Sequence, residues 1–198
     1  MTYEEMCSFE TLYEAYLTAR KGKRSKVSTA QYEANALVCT AKLSAILSKK
    51  VYTPSKFEIF KVYEPKERLV QAPAFVDKVG LHAVVDNILY DAICKSFIRD
   101  NFASQKQKGT HDGLMRLKYH MVEYYRRNGS ADGWVLKCDV RHFFASIDHD
   151  KLKAVLRRLF KRRGLDMQVY DLLCIYIDAS EGLPLVYQTS QLLALLFL

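Results

Sequence analysis

The sequence predicts an α+β fold in which helices pack on a small antiparallel sheet, and three observations carry that expectation. Apolar residues recur at helical spacing in several stretches. The clearest is Leu152, Val155, Leu156, Leu159 and Phe160, at i, i+3, i+4, i+7 and i+8. Two short β-prone runs, 57–64 and 68–71, flank Pro65-Lys66-Glu67 in the manner of a hairpin. Residues 134–140 alternate, with Trp134, Leu136, Cys138 and Val140 on one face and Val135, Lys137 and Asp139 on the other. That is the pattern of a strand with one apolar face.

A chain of 198 residues forms one good-sized domain or two small ones and can bury a core. The formal charge of +8 suits an anionic partner, and a phosphate backbone or a membrane surface would both satisfy it. The longest apolar run, 192–198, is too short to span a bilayer, so no membrane partner is expected. An acidic, polar N-terminus argues against a signal peptide. Cys7, Cys39, Cys94, Cys138 and Cys174 are widely spaced with no CxxC, which indicates neither a zinc site nor a disulfide framework. Reduced thiols in a cytoplasmic protein are expected.

In chain order, Thr2 and Glu5 have capping-box spacing, and Phe9, Leu12, Tyr13, Tyr16 and Leu17 follow as one helical face. The run from Arg20 to Lys26, which includes Arg24, is either a solvated loop or a phosphate-contacting one. Ser28 and Gln31 suggest a second capping box, before a stripe of Ala36, Cys39, Leu43, Ile46 and Leu47. Tyr52-Thr53-Pro54 ends that helix ahead of the hairpin. Residues 75–99 predict one long helix, with Asp77 a charge favoured by the helix N-terminus. His82 is expected to be half-buried and not a ligand. A polar, basic segment, 101–113, leads into a helix over 114–127 and a turn-rich link over 128–133.

After the 134–140 strand, Asp148 is placed to cap a helix over 149–163, and Gly164 to stop it. Arg157, Arg158, Lys161, Arg162 and Arg163 crowd its last turns, more charge than the helix dipole needs, so this end is a candidate nucleic-acid face. A helix over 167–179 follows. Residues 191–198 are apolar nearly all round and are expected to need cover from elsewhere.

A carboxylate at a strand's end beside bulky aromatics suits a polymerase, which must hold a metal and gauge a nucleotide's sugar. Asp139-Val140-Arg141-His142-Phe143-Phe144-Ala145-Ser146-Ile147 resembles motif A of the reverse transcriptases. Gly182-Leu183-Pro184-Leu185-Val186-Tyr187-Gln188-Thr189-Ser190-Gln191 resembles motif B, in the form seen in diversity-generating retroelements and related bacterial branches. Lys66, Arg68 and Pro73 resemble the fingertip hairpin, the Asp77-Lys78 pair resembles one in group II intron-like enzymes, and Lys108-Gly109-Thr110-His111 resembles the family's second motif. The resemblance covers roughly residues 50–198.

It implies a right-hand polymerase, with fingers over 1–130, including a helical extension over 1–50, and a partial palm over 131–198. The implied activity is RNA-directed DNA synthesis by two-metal nucleotidyl transfer, with RNA template, DNA primer, dNTP and Mg²⁺ as partners. Asp139 would bind Mg²⁺, with the Val140 carbonyl a further ligand. Phe144 would be the steric gate against a 2′-hydroxyl. Arg68, assisted by Lys66 or Lys61, would hold the triphosphate, and Ser190 and Gln191 would line the nucleotide and template side. Arg24, Lys108, Gly109, Thr110, Arg157, Arg158 and Arg162 would contact nucleic acid.

Two departures accompany the resemblance. Val186 stands where the family has glycine, and a β-branched side chain there should obstruct the approach of backbone to base. Motif C, which carries the paired aspartates, has no counterpart, so one metal-binding carboxylate and the thumb are missing and the palm is expected to be truncated. A non-catalytic nucleic-acid-binding fragment, or an inactive relic, is the alternative. Template, priming mode and oligomeric state are not legible.

Overall fold

The structure, a computed structural model, describes residues 1–64, 67–184 and 187–198, with the side chain of Arg68 also outside the described set. Two short helices open the chain, α1 (Tyr3–Met6) and α2 (Phe9–Ala19). The Thr2–Glu5 capping box forms as expected. Leu12 and Tyr16 of the expected stripe are buried. The second capping box does not form. α3 (Val27–Ala34) begins two residues early, with Lys26 at its N-cap and no side chain capping it. α4 (Ala36–Ser48) turns Leu43 and Leu47 inward and leaves Ile46 exposed.

The hairpin is β1 (Glu58–Val62) and β2 (Arg68–Ala72), antiparallel, with Glu58 opposite Ala72 and Val62 opposite Arg68. Every residue of β1 is exposed. The fold is thus mixed α+β as expected, mostly helical with one two-stranded antiparallel sheet among the described residues, and the helices pack chiefly on one another.

The long helix expected over 75–99 is three pieces. α5 (Phe75–Val84) passes through a π turn (Val85–Leu89) into α6 (Tyr90–Cys94). α7 (Thr110–Asn128) follows, then α8 (Phe143–Ser146), α9 (His149–Arg163), α10 (Met167–Ile177) and α11 (Gln188–Phe197). α9 has the predicted bounds. The Asp148 carboxylate accepts from the Lys151 N–H at 2.9 Å, and Gly164 ends the helix at φ +62°. That left-handed conformation is one glycine adopts at little cost.

A continuous core runs from Tyr3 and Met6 through α2, α4 and α5 to α9, α10 and α11, crossing residue 130. Near its ends, the Tyr3 N–H donates to Asp166 at 2.8 Å and the Tyr3 hydroxyl to the Leu47 carbonyl at 2.8 Å. Leu192, Leu193 and Ala194 are buried against α9 and α5, which gives the first part of the apolar C-terminal helix the cover it needs, while Leu196 and Phe197 stay half-buried and Leu198 is exposed. No described helix is long and apolar enough to cross a membrane.

The largest departure lies at 131–140. These residues have no regular secondary structure and all are exposed. A strand persists only when a neighbour pairs its N–H and C=O groups, and among the described residues β1 and β2 pair solely with each other. Alternation supplied a face without a partner. α7 is exposed as well. Leu114, Leu117, Met121, Tyr124 and Tyr125 lie along one side of it, and none is buried.

Candidate nucleotide and nucleic-acid site

Three segments far apart in sequence meet around one cavity of about 580 Å³. The hairpin contributes Glu67, Leu69 and Gln71, the turn after Asp139 contributes His142, Phe143, Phe144 and Ala145, and the 181–184 turn contributes Glu181, Leu183 and Pro184. The last two are held together by backbone. The Leu183 N–H donates to the Phe144 carbonyl at 2.8 Å, and Gly182, at φ +62°, lies so close that a Cβ there would be 2.6 Å from that same oxygen. The 178–182 turn is tied down further. His149 Nε2 bonds the Gly182 carbonyl at 3.0 Å, the Ser180 hydroxyl donates to the same oxygen at 3.2 Å, and Lys153 Nζ donates to Asp178 at 2.6 Å.

Phe144, the expected gate, lines this cavity and packs edge-on against Phe143, with ring centroids 6.0 Å apart. His142 just before it has φ +51°, one of four positive-φ non-glycine residues among those described. Two of the others, Ser104 and Gln107, lie in the loop that leads to Lys108-Gly109-Thr110. Left-handed non-glycine residues cost free energy and recur at functional turns.

Asp139 and Val140 are not at a strand's end but in the exposed 131–140 segment, and neither lines the cavity. Mg²⁺ takes six oxygen ligands, one or two of them carboxylate and the rest mostly water or phosphate. Among the described residues no three His, Cys, Asp or Glu side chains converge to hold a metal. Asp139 alone is one ligand, short of the converging carboxylates that two-metal chemistry requires. From the described residues Asp139 would thus supply one carboxylate of such a site.

The remaining nominated residues divide. Lys66 lies outside the described residues, as does Val186. Arg68 opens β2 opposite Val62, its side chain again outside what is described. Ser190 is fully buried, and among the described residues its hydroxyl has no hydrogen-bond partner. α11 buries it in the same turn as Leu193 and Ala194, which are also buried. Gln191 is exposed and accepts from the Ser104 hydroxyl at 2.8 Å, which joins the 181–191 segment to the loop before Gly109. In that loop Lys108 Nζ donates to the Arg99 carbonyl at 2.8 Å and lies over Phe102. Gly109 donates its N–H to Asp112 at 2.9 Å at the start of α7, and Thr110 is exposed.

Arg24 is held by Glu33 through two bonds of 3.1 and 2.6 Å, and Arg20 reaches the same carboxylate at 2.6 Å. Bonding to Arg24 holds the Glu33 carboxyl below the usual carboxylate range. Arg157, Arg158 and Arg162 are exposed on α9 and, among the described residues, pair with no carboxylate.

Sequence reasoning missed a buried polar centre. Asp77 is fully buried, not a solvent-facing helix charge. The Tyr52 hydroxyl donates to it, and so does the Ser55 N–H at 3.1 Å. Burial raises its carboxyl above the ordinary range, with the Tyr52 and Ser55 hydrogen bonds opposing that shift. His82 is half-buried as expected, bonded to Asp86 at 3.0 Å. Periodicity could have flagged Asp77: on a helix it shares a face with Gly80, Leu81 and Val84, at i+3, i+4 and i+7.

No family model matches the chain, and a search of curated proteins finds no significant match.

Proposed function

We propose that this chain carries the nucleotide-binding side of a reverse-transcriptase-like polymerase, an enzyme that extends a DNA primer on an RNA template. The observation behind this reading is the convergence of the hairpin, Phe143-Phe144 and Leu183-Pro184 on one cavity of about 580 Å³. These are the segments that resemble the fingertip, motif A and motif B. In this role Phe144 presses against the sugar of a bound nucleotide and discriminates by occupying the space a 2′-hydroxyl would need. The hairpin supplies the phosphate side through Arg68, whose guanidinium fork can bond two phosphate oxygens. Gln191 faces the template, and the arginines of α9 face the duplex backbone. Mg²⁺ would supply the charge neutralisation that phosphoryl transfer needs, with Asp139 as the carboxylate this chain offers it.

The test is primer extension on an RNA template by the 198-residue chain, with Mg²⁺ and dNTPs. Extension that disappears in Asp139→Ala, and that accepts ribonucleotides in Phe144→Ala, supports the reading. Extension unchanged by both substitutions rules it out.

One observation favours a second reading. Asp139 stands on an exposed, unpaired segment with no converging acid among the described residues. In this reading the chain binds RNA or an RNA–DNA duplex without synthesis. Salt-dependent binding with no extension, and no difference between the parent chain and Asp139→Ala, selects it.

A further inference from the structure

A second cavity, of about 370 Å³, opens between the basic loop after α2, the start of α5 and the start of α11, lined by Lys23, Lys26, Lys78, His82, Gln188 and Gln191 over Leu81 and Tyr187. It shares no lining residue with the hairpin–Phe144 cavity. We propose that Lys23, Lys26 and Lys78 form a phosphate-binding site, which takes a phosphate group carried by a nucleic-acid strand or by a small phosphorylated ligand.

The basic residues of the loop are sorted by type. Its arginines are used internally: Arg20 and Arg24 both close on Glu33, and Arg20 also reaches the Tyr16 hydroxyl at 3.1 Å. Its lysines 23 and 26 turn to the cavity instead, where they meet Lys78 from α5. None of the three pairs with a carboxylate among the described residues. Three ammonium groups around one concavity repel one another, and the repulsion is relieved when an anion enters.

The surroundings add donors. Gln191 uses its side-chain oxygen on Ser104, which leaves its amide nitrogen as a donor at the rim. Gln188 and His82 are both engaged with Asp86, at 3.2 and 3.0 Å, so that carboxylate is already bonded. Lys78 is half-buried. Its ammonium is pushed below the usual lysine range, first by burial and then by Lys23 and Lys26, while Glu58 and Asp77 pull the other way. An anion in the cavity would restore the charged form and gain charge-assisted hydrogen bonds from it.

Reductive labelling with pyridoxal 5′-phosphate tests this directly. Its phosphate would be drawn to the site while its aldehyde condenses with a lysine amine, losing water to form an imine that borohydride reduces to a stable secondary amine. Peptide mass mapping of the full chain should find Lys78 labelled several-fold faster than Lys42, an exposed lysine on α4. Tripolyphosphate should protect it. Protection by single-stranded RNA as well assigns the phosphate to a nucleic-acid strand; protection by tripolyphosphate alone assigns it to a small ligand. Lys23→Gln, at the rim, should slow the labelling of Lys78. In filter binding, Lys78→Gln should lower the slope of log affinity against log salt by about 0.7 if the ligand is single-stranded RNA. Labelling spread evenly over the lysines, or protected by neither competitor, overturns the proposal. A chain that extends no primer would still show the labelling, so this outcome is separate from that of the polymerase reading.

Discussion

Gly182 rests directly on the backbone of Phe144, in contact with the carbonyl oxygen that receives the Leu183 N–H. The contact joins two turns that are nearly 40 positions apart in sequence, and it forms one wall of the hairpin–Phe144 cavity. A side chain at 182 meets two obstacles, a φ of +62° and backbone atoms as near as 2.6 Å. Gly182→Ala should therefore destabilise the chain by roughly 1–3 kcal/mol, the cost of a strained backbone position. Urea denaturation measures it; a midpoint that does not move would show that the two turns are not in contact.

Asp77 gives a stability effect of definite sign. Its carboxyl is raised above its ordinary value of 3.8 by burial, so the folded state holds that proton more tightly than the unfolded chain. Its contribution is present in full below about pH 4 and is lost as pH rises through the folded pKa. Asp77→Asn removes this titration. The stability of the parent chain relative to Asp77→Asn should then fall as pH rises from 4 towards neutrality. A difference that grows with pH would mean the carboxyl is stabilised in its charged form.

The burial pattern separates α9 from α7. Leu156 is fully buried in α9, and Leu156→Ala should cost about 2–5 kcal/mol, lost transfer energy plus a cavity. Leu117 is half-exposed on α7, and Leu117→Ala should change stability by no more than about 0.5 kcal/mol. Equal costs at the two positions would place α7 against a core.

Trp134 is the single tryptophan and is fully exposed, at 104 %. Its fluorescence should match that of free indole in water and be quenched freely by acrylamide. Emission shifted to the blue and shielded from the quencher would show that 134–140 has found a pairing partner.

The exposed arginines of α9 should carry a measurable share of nucleic-acid affinity. Replacing Arg157, Arg158 and Arg162 together by Gln should flatten the salt dependence of single-stranded RNA binding by up to about 2 in the log–log slope, near 0.7 per phosphate contact. An unchanged slope would remove α9 from the interface.

Much of the fold was legible because it depends on neighbours within a few residues. The Thr2–Glu5 box, the Asp148 cap, the Gly164 stop and the inward stripe Leu152, Leu156, Leu159 and Phe160 all follow from local hydrogen bonding and the 3.6-residue period. The hairpin followed from a turn between two β-prone runs. The segments that surround the Phe144 cavity were also nominated from sequence, though not their contact through Gly182.

What the sequence by itself determined, then, is where helices begin and end and which of their faces are apolar, since those choices are made within one or two turns of chain. Only the tertiary structure decided what each face meets. It left 134–140 unpaired because alternation cannot create a neighbouring strand. It buried Asp77, Ser190 and the first part of α11, and exposed α7. It also gave Arg24 to Glu33 while turning Lys23 and Lys26 towards Lys78. Residues of like charge in one loop are indistinguishable to local rules; the position of a distant carboxylate separates them, and that position is fixed only when the core closes.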